Sequence, residues 1–283
     1  MSIVTVSDPG VSVPTRRTGY YSLVNVIRAE WTKIRSVRST TWTLGATLLL
    51  AVAIGVIVTG TEANRWAHRS IQDTLTFDPT SLSLTGLLAG QLAIGVLGVL
   101  VMGGEYGTGT IRTTFAAIPN RPLVLAAKTA VLGVVALVVA EVASFGAFLI
   151  GQAILSGTTP TATLSDPGVL RAVTGGGLYV AVLGLLTLGI ATVVRHTAGA
   201  IAAFAGILFV LPLIASALPS SIGNAISRFL PETIGTSMTA VVRGLGVGHG
   251  APVFSPWVGF GILCGYALGA LVIGGVVLMR RDT

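Results

Sequence analysis

Apolar residues in this chain gather into long runs. A helix needs about 20 of them to cross a hydrocarbon core about 30 Å thick, and six runs are long enough: Thr40–Gly60, Leu82–Gly103, Lys128–Ile150, Val173–Val194, Thr197–Leu218 and Pro256–Met279. The pattern predicts an all-α integral membrane protein with six transmembrane helices. Glycine and proline inside the runs do not argue against helix, because a membrane helix tolerates both. Ahead of the first run the pattern changes. Tyr20, Val24, Ile27, Trp31 and Ile34 recur at spacings of three and four, one face of a helix over residues 20–38. Arg28, Lys33, Arg35 and Arg38 take much of the rest, and Glu30 stands three residues before Lys33, within pairing distance on a helix. A basic amphipathic helix carrying a tryptophan lies along a membrane surface; a plain basic flank that sets topology is the other reading. Residues 1–19, with Pro9, Pro14 and many Ser and Thr, predict disorder. Between spans five and six, residues 219–255 place Leu230, Ile234, Met238, Val241 and Val242 at roughly helical spacing, interrupted by Gly and Pro. That segment predicts one or two short re-entrant helices. No internal repeat is evident, so residues 39–283 read as one membrane domain.

Composition removes most other classes. The chain is 52% hydrophobic and 10% charged with mean hydropathy +0.87, against about 25% charged residues in soluble proteins. Too little charge is present to coat a water-soluble surface, which excludes a soluble enzyme or DNA-binding protein. The formal net charge of +7 then has to be read through topology. With the N-terminus in the cytoplasm, twelve Lys and Arg fall inside and five outside; the reverse orientation breaks the positive-inside rule. Both termini are therefore expected in the cytoplasm of a plasma-membrane protein, with the positive charge facing lipid headgroups and a cytosolic partner, not nucleic acid. No secretory signal peptide is apparent. A single cysteine, Cys264, excludes an intramolecular disulfide and a Cys-cluster metal site. The histidines, His68, His196 and His249, form no HExxH motif. No catalytic, cofactor or metal residue is expected in this chain.

Chemistry is most plausible in the loop after span two, GGEYGTGTIRTTFAAIPNRP, residues 103–122. Thr108, Ile111, Phe115 and Ile118 make an apolar stripe across a short helix that Pro119, Asn120 and Pro122 end. A short helix held between two spans is a lever, since a push on it moves both; a structural turn is the plainer alternative. Its glycines resemble a phosphate loop only superficially. A Walker motif needs GxxxxGK followed by Ser or Thr, and neither lysine of the chain, Lys33 or Lys128, stands in one. Glu141 sits mid-run in span three, where an acid costs about 2.5–3.5 kcal/mol on insertion scales. It is either a functional group or an acid bonded to neighbouring hydroxyls. Gln91 and Gln152 read as packing hydrogen bonds. Gly261, Gly265 and Gly269 line one face of span six, for tight packing or a dimer contact. Pro212 predicts a kink in span five, as a hinge or a tolerated bend.

Two stretches, IRAEWTKIRSVRSTTWTL (residues 27–44) and GGEYGTGTIRTTFAAIPNRPLVLAAKTAV (residues 103–131), together resemble the ABC-2 type permease subunits of actinobacterial ABC transporters, of the type V exporter kind. The resemblance implies a dimer of membrane subunits, homo- or heterodimeric, each bound to a separate ABC ATPase that holds ATP and Mg. It implies that residues 20–38 form a connecting helix carrying Arg28, Glu30, Trp31, Lys33 and Arg35. It places the ATPase-coupling helix in residues 105–121, with Glu105, Tyr106, Thr108, Thr110, Arg112, Thr113 and Arg121, and a smaller contact at Arg195-His196. The implied activity is ATP-driven alternating access. No span carries a ring of charges, so a hydrophobic or amphipathic substrate suits the apolar interface better than an inorganic ion. The competing readings are a proton-coupled secondary transporter using Glu141 and a non-transporting membrane anchor.

Overall fold

The computed structural model describes residues 22–70, 74, 76–241 and 254–280, and among these all regular structure is helical. The expectations for residues 1–19, Tyr20 and Val242 lie outside the described residues. Helix α1 (Leu23–Ser36) ends at Val37, whose extended backbone turns the chain into α2 (Arg38–Arg65). With a closing 3-10 turn, α2 makes the first span, Arg38–His68. The second span, Pro79–Thr108, joins α3 (Pro79–Leu84) to α4 (Leu87–Thr108). A short α5 (Thr110–Ala117) follows. The third and fourth spans are α6 (Arg121–Leu155) and α7 (Val169–Val194). The fifth, Thr197–Ala217, consists of α8 (Thr197–Ala205), a π-helical turn at Gly206–Val210 and α9 (Leu211–Ala217). Two short helices, α10 (Ser220–Ser227) and α11 (Pro231–Thr239), precede the sixth span, α12 (Pro256–Arg280). All six helices are long and apolar enough to cross a membrane.

Several spans run past their apolar stretches because polar residues finish them. Asp78 accepts from the backbone N–H of Thr80 and Ser81 at 3.0 Å and starts α3, and Asn120 accepts from Leu123 N–H at 3.2 Å and starts α6. Both satisfy donors that a helix start leaves unbonded. Span four is the most deeply buried and packs on spans two, three and six. Spans one and two cross so closely at Gly86 that a methyl group there would run into the Ala51 carbonyl. The glycine stripe of span six behaves differently from a packing face. A Cβ on Gly261, Gly265 or Gly269 would meet nothing within 4 Å. Helical spacing puts the three on one face, but that face looks out of the chain; span six approaches span four instead where Gly189 lies on the backbone of Ala270. In span five, Pro212 has no N–H for the carbonyl one turn earlier. The chain answers with the wider turn just before it, where the Leu211 N–H reaches Gly206 O.

The bundle has two distinct ends. At one lie α1, α5 and the C-terminus of span six. At the other, α11 is tied to its neighbours: Asp78 Oδ2 accepts from Val241 N–H at 2.7 Å, and Arg171 donates to Met238 O at 2.9 Å and Ala240 O at 2.6 Å. Leu230, Ile234 and Met238 are buried there.

Candidate functional site

At the α1 end, four charged side chains close into a ring. Lys128, seven residues into span three and 1% exposed, donates to Glu30 Oε2 at 2.8 Å and to Glu105 Oε1 at 2.6 Å. Lys33 donates to Glu30 Oε1 and Glu105 Oε1, each at 2.9 Å, and reaches Thr114 Oγ1 at 3.4 Å. Glu30 and Lys33 come from α1, Glu105 from the end of span two, Lys128 from the start of span three and Thr114 from α5. Four elements are thus fastened by one network of two acids and two bases. Burial disfavours the Lys33 ammonium, yet the hydrogen bonds it donates to Glu30 and Glu105, with their negative charge, outweigh it and hold its pKa above the ordinary lysine value. The second oxygen of Glu105, Oε2, is buried with no hydrogen-bond partner among the described residues.

The helix face that packs α1 differs from the predicted stripe. Val26 and Glu30 are buried, while Val24 and Trp31 stand about half exposed beside outward-facing Arg28 and Arg35. The reason is the pairing: Glu30 reaches Lys128 at 2.8 Å, and that rotation leaves Trp31 outside the bundle. Of the stripe expected across α5, Ile111 and Phe115 are buried and Ile118 is half-buried, while Thr108, which ends span two, is exposed. Thr108, Thr110, Arg112 and Thr113 are left exposed. The left-handed Gly109 (φ 73°) sets α5 off from span two, a backbone conformation that suits glycine.

Four residues expected on the coupling surface turn inward instead. Glu105 sits in the ring. Tyr106 stacks under the Arg195 guanidinium at 5.6 Å, its hydroxyl buried and unbonded. Arg195 donates to Val277 O at 2.9 Å and Arg121 to Leu278 O at 2.8 Å. Arg121 also covers the Phe115 ring at 5.4 Å. The physical cause is the unsatisfied carbonyls that every helix leaves at its C-terminus: two arginines from neighbouring loops serve those of span six. Sequence reasoning missed Lys128. The available signal was its setting, one of two lysines in the chain, inside an apolar run that required an acid partner.

The intramembrane polar groups separate into two kinds. Gln91 Oε1 accepts from the Tyr179 hydroxyl at 2.6 Å, and Gln152 binds Pro79 O and Ser83 Oγ at 3.0 Å while accepting from Ala162 N–H at 2.7 Å. Both are packing hydrogen bonds between elements. Glu141 is unlike them. Its carboxyl lies against Gly177 of span four, where a Cβ would come within 2.6 Å of Cδ. Its Oε2 is buried, and no neighbouring hydroxyl bonds it among the described residues.

Six membrane-length helices define a multi-pass membrane protein, with α1 fastened to one end by buried charge and α5 beside it through Thr114. Over residues 26–214 the chain matches the family described as ABC-2 family transporter protein, and it belongs to that family. No curated protein matches it. The chain is accordingly the membrane subunit of an ABC transporter and not itself the catalytic one, and the family implies an ABC ATPase as partner.

Proposed function

We propose that this chain is the permease subunit of an ABC exporter, working as one of two membrane subunits with an ATPase docked on its α1 end in the cytoplasm. The observation that carries the reading is the ring of Glu30, Lys33, Glu105 and Lys128. A force on the exposed face of α5 is passed through Thr114 and the ring to α1 and to the adjoining ends of spans two and three. Such a joint is stiff, because separating any member strands a buried charge. ATP binding and hydrolysis in the partner move α5, and the interface between the two permease copies alternates its access. The exposed residues Thr108, Thr110, Arg112 and Thr113 are the contact points; Glu105, Tyr106, Arg121 and Arg195 hold the lever from behind. The apolar spans suit a hydrophobic or amphipathic substrate.

The reading is tested by purifying the protein in detergent after expression with its genomic neighbours. A stoichiometric ATPase in the eluate supports it; a folded protein with no ATPase bound overturns it. Within the complex, Arg112→Glu is expected to lower substrate-stimulated ATPase activity about fivefold, the factor for loss of a rim contact of about 1 kcal/mol. The amount of protein in the membrane should not change, since Arg112 is exposed and makes no ion pair among the described residues.

A proton-coupled reading draws on one observation, the unbonded Oε2 of Glu141. For an ATP-driven permease, Glu141→Gln is expected to leave transport in proteoliposomes within about twofold of the parent, since it removes no charge contact. Transport abolished by Glu141→Gln, yet sustained by a pH gradient in the parent without ATP, would favour the secondary transporter.

A further inference from the structure

Away from the α1 end, a cavity of about 740 Å³ opens between spans four, five and six under α10. That volume lies within the range of about 300–1,000 Å³ common to small-molecule pockets. Its walls are hydrocarbon: Leu186 of span four, Ile207 and Leu211 of span five, and Ile222 and Ile226 of α10, with the Tyr266 ring from span six. Ile222, Ile226 and Phe229 at its edge are 40–51% exposed, so the space opens toward whatever hydrocarbon surrounds the bundle. One charged residue lines it, Arg228. The guanidinium lies over the rings of Phe229, at 4.9 Å, and Phe254, at 5.6 Å. Its Nε is buried and has no hydrogen-bond acceptor, and it makes no ion pair among the described residues. Glu232, one turn further along the chain, neither lines the cavity nor pairs with it. The Tyr266 hydroxyl donates to Phe229 O at 3.2 Å.

We propose that this cavity binds a bilayer phospholipid with an anionic headgroup, its acyl chain against the aliphatic walls and its phosphate on Arg228. The Arg228 guanidinium packs against both rings, which themselves meet edge-to-face at 5.1 Å, and a planar arginine fork receives phosphate bidentately. A cation on an apolar wall is costly until an anion reaches it. The bilayer supplies both halves of the ligand in one molecule. A zwitterionic lipid carries its own cation beside the phosphate and compensates Arg228 less well. The site does not depend on the chain moving any substrate, so it stands apart from the transport reading.

The test is lipid retention. The protein is reconstituted in nanodiscs of equimolar phosphatidylglycerol and phosphatidylcholine, extracted in mild detergent, and its bound lipid weighed by native mass spectrometry. The parent is expected to retain phosphatidylglycerol over phosphatidylcholine by about tenfold, equivalent to ~1.4 kcal/mol. Arg228→Gln should bring the ratio to that of the bulk bilayer, and Arg228→Lys should keep part of the preference. Ile222→Trp, which fills the cavity from an exposed position, should reduce retention of both lipids with the thermal unfolding temperature unchanged. Equal retention of the two lipids by the parent overturns the proposal. So does a phosphatidylglycerol preference that survives both Arg228→Gln and Ile222→Trp; if Arg228→Gln fails to fold, the tryptophan variant decides alone.

Discussion

Lys128→Met is expected to destabilise the purified protein by about 3–5 kcal/mol, the cost of removing one partner from a buried charge network, and to lower its unfolding temperature by about 10 °C. Methionine matches the lysine stem in length, so no large cavity is opened and the loss comes from electrostatics. Lys128 is 1% exposed and holds two carboxylates, Glu30 Oε2 and Glu105 Oε1. Without it, Lys33 alone faces both acids, and its side chain is 42% exposed, so water screens what remains. The sharper result comes from neutralising the rest. Glu30→Gln and Glu105→Gln added to Lys128→Met should recover most of the lost stability, because no buried charge is then stranded and the one charge left, Lys33, is 42% exposed to water. Recovery of stability without recovery of ATPase coupling would separate the ring's mechanical role from its contribution to folding. A Lys128→Met protein that unfolds at the parent temperature would remove the ring from both accounts.

Gly86→Ala is expected to be nearly as costly, about 3 kcal/mol or more, the upper part of the range for overpacking. The added methyl meets the carbonyl of Ala51, with the Ala51 carbonyl carbon and the Gly55 nitrogen close behind at 2.8 Å. Backbone cannot rotate aside as a side chain can, so spans one and two must separate. Gly261→Ala is the control. A methyl there meets nothing within 4 Å, and a glycine-to-alanine change at an open helical position favours the helix by about 1 kcal/mol. Unfolding in detergent should therefore fall sharply for the first variant and hold or rise for the second. Equal behaviour of the two would mean that spans one and two do not cross as closely as described.

The contrast between these glycines shows what one-dimensional pattern can carry. Six spans were legible because length and hydrophobicity are local properties, and the α5 stripe of Ile111 and Phe115 because helical period is local too. Which way a face points is not local. Gly261, Gly265 and Gly269 share a face by spacing, and spacing is silent on whether a neighbour occupies it. The same holds for the charges. Glu30 with Lys33 could be read from their separation of three, whereas Glu30 with Lys128 is a pairing across 98 residues that exists only once α1 lies beside span three. Arg121 and Arg195 looked like surface cations because the carbonyls they serve, Leu278 and Val277, belong to the last span. The family match covers residues 26–214, which includes all four ring residues and excludes span six and Arg228.

The ring also sets an order on biogenesis. Of the four ring residues Glu30 and Lys33 are made first, one turn apart on α1. When the second span follows, Glu105 brings a second acid, and the assembled part holds one more negative charge than positive. Neutrality arrives only with Lys128, after span three has entered the bilayer. Without the third span, two carboxylates, Glu30 and Glu105, are left with one lysine, Lys33, between them.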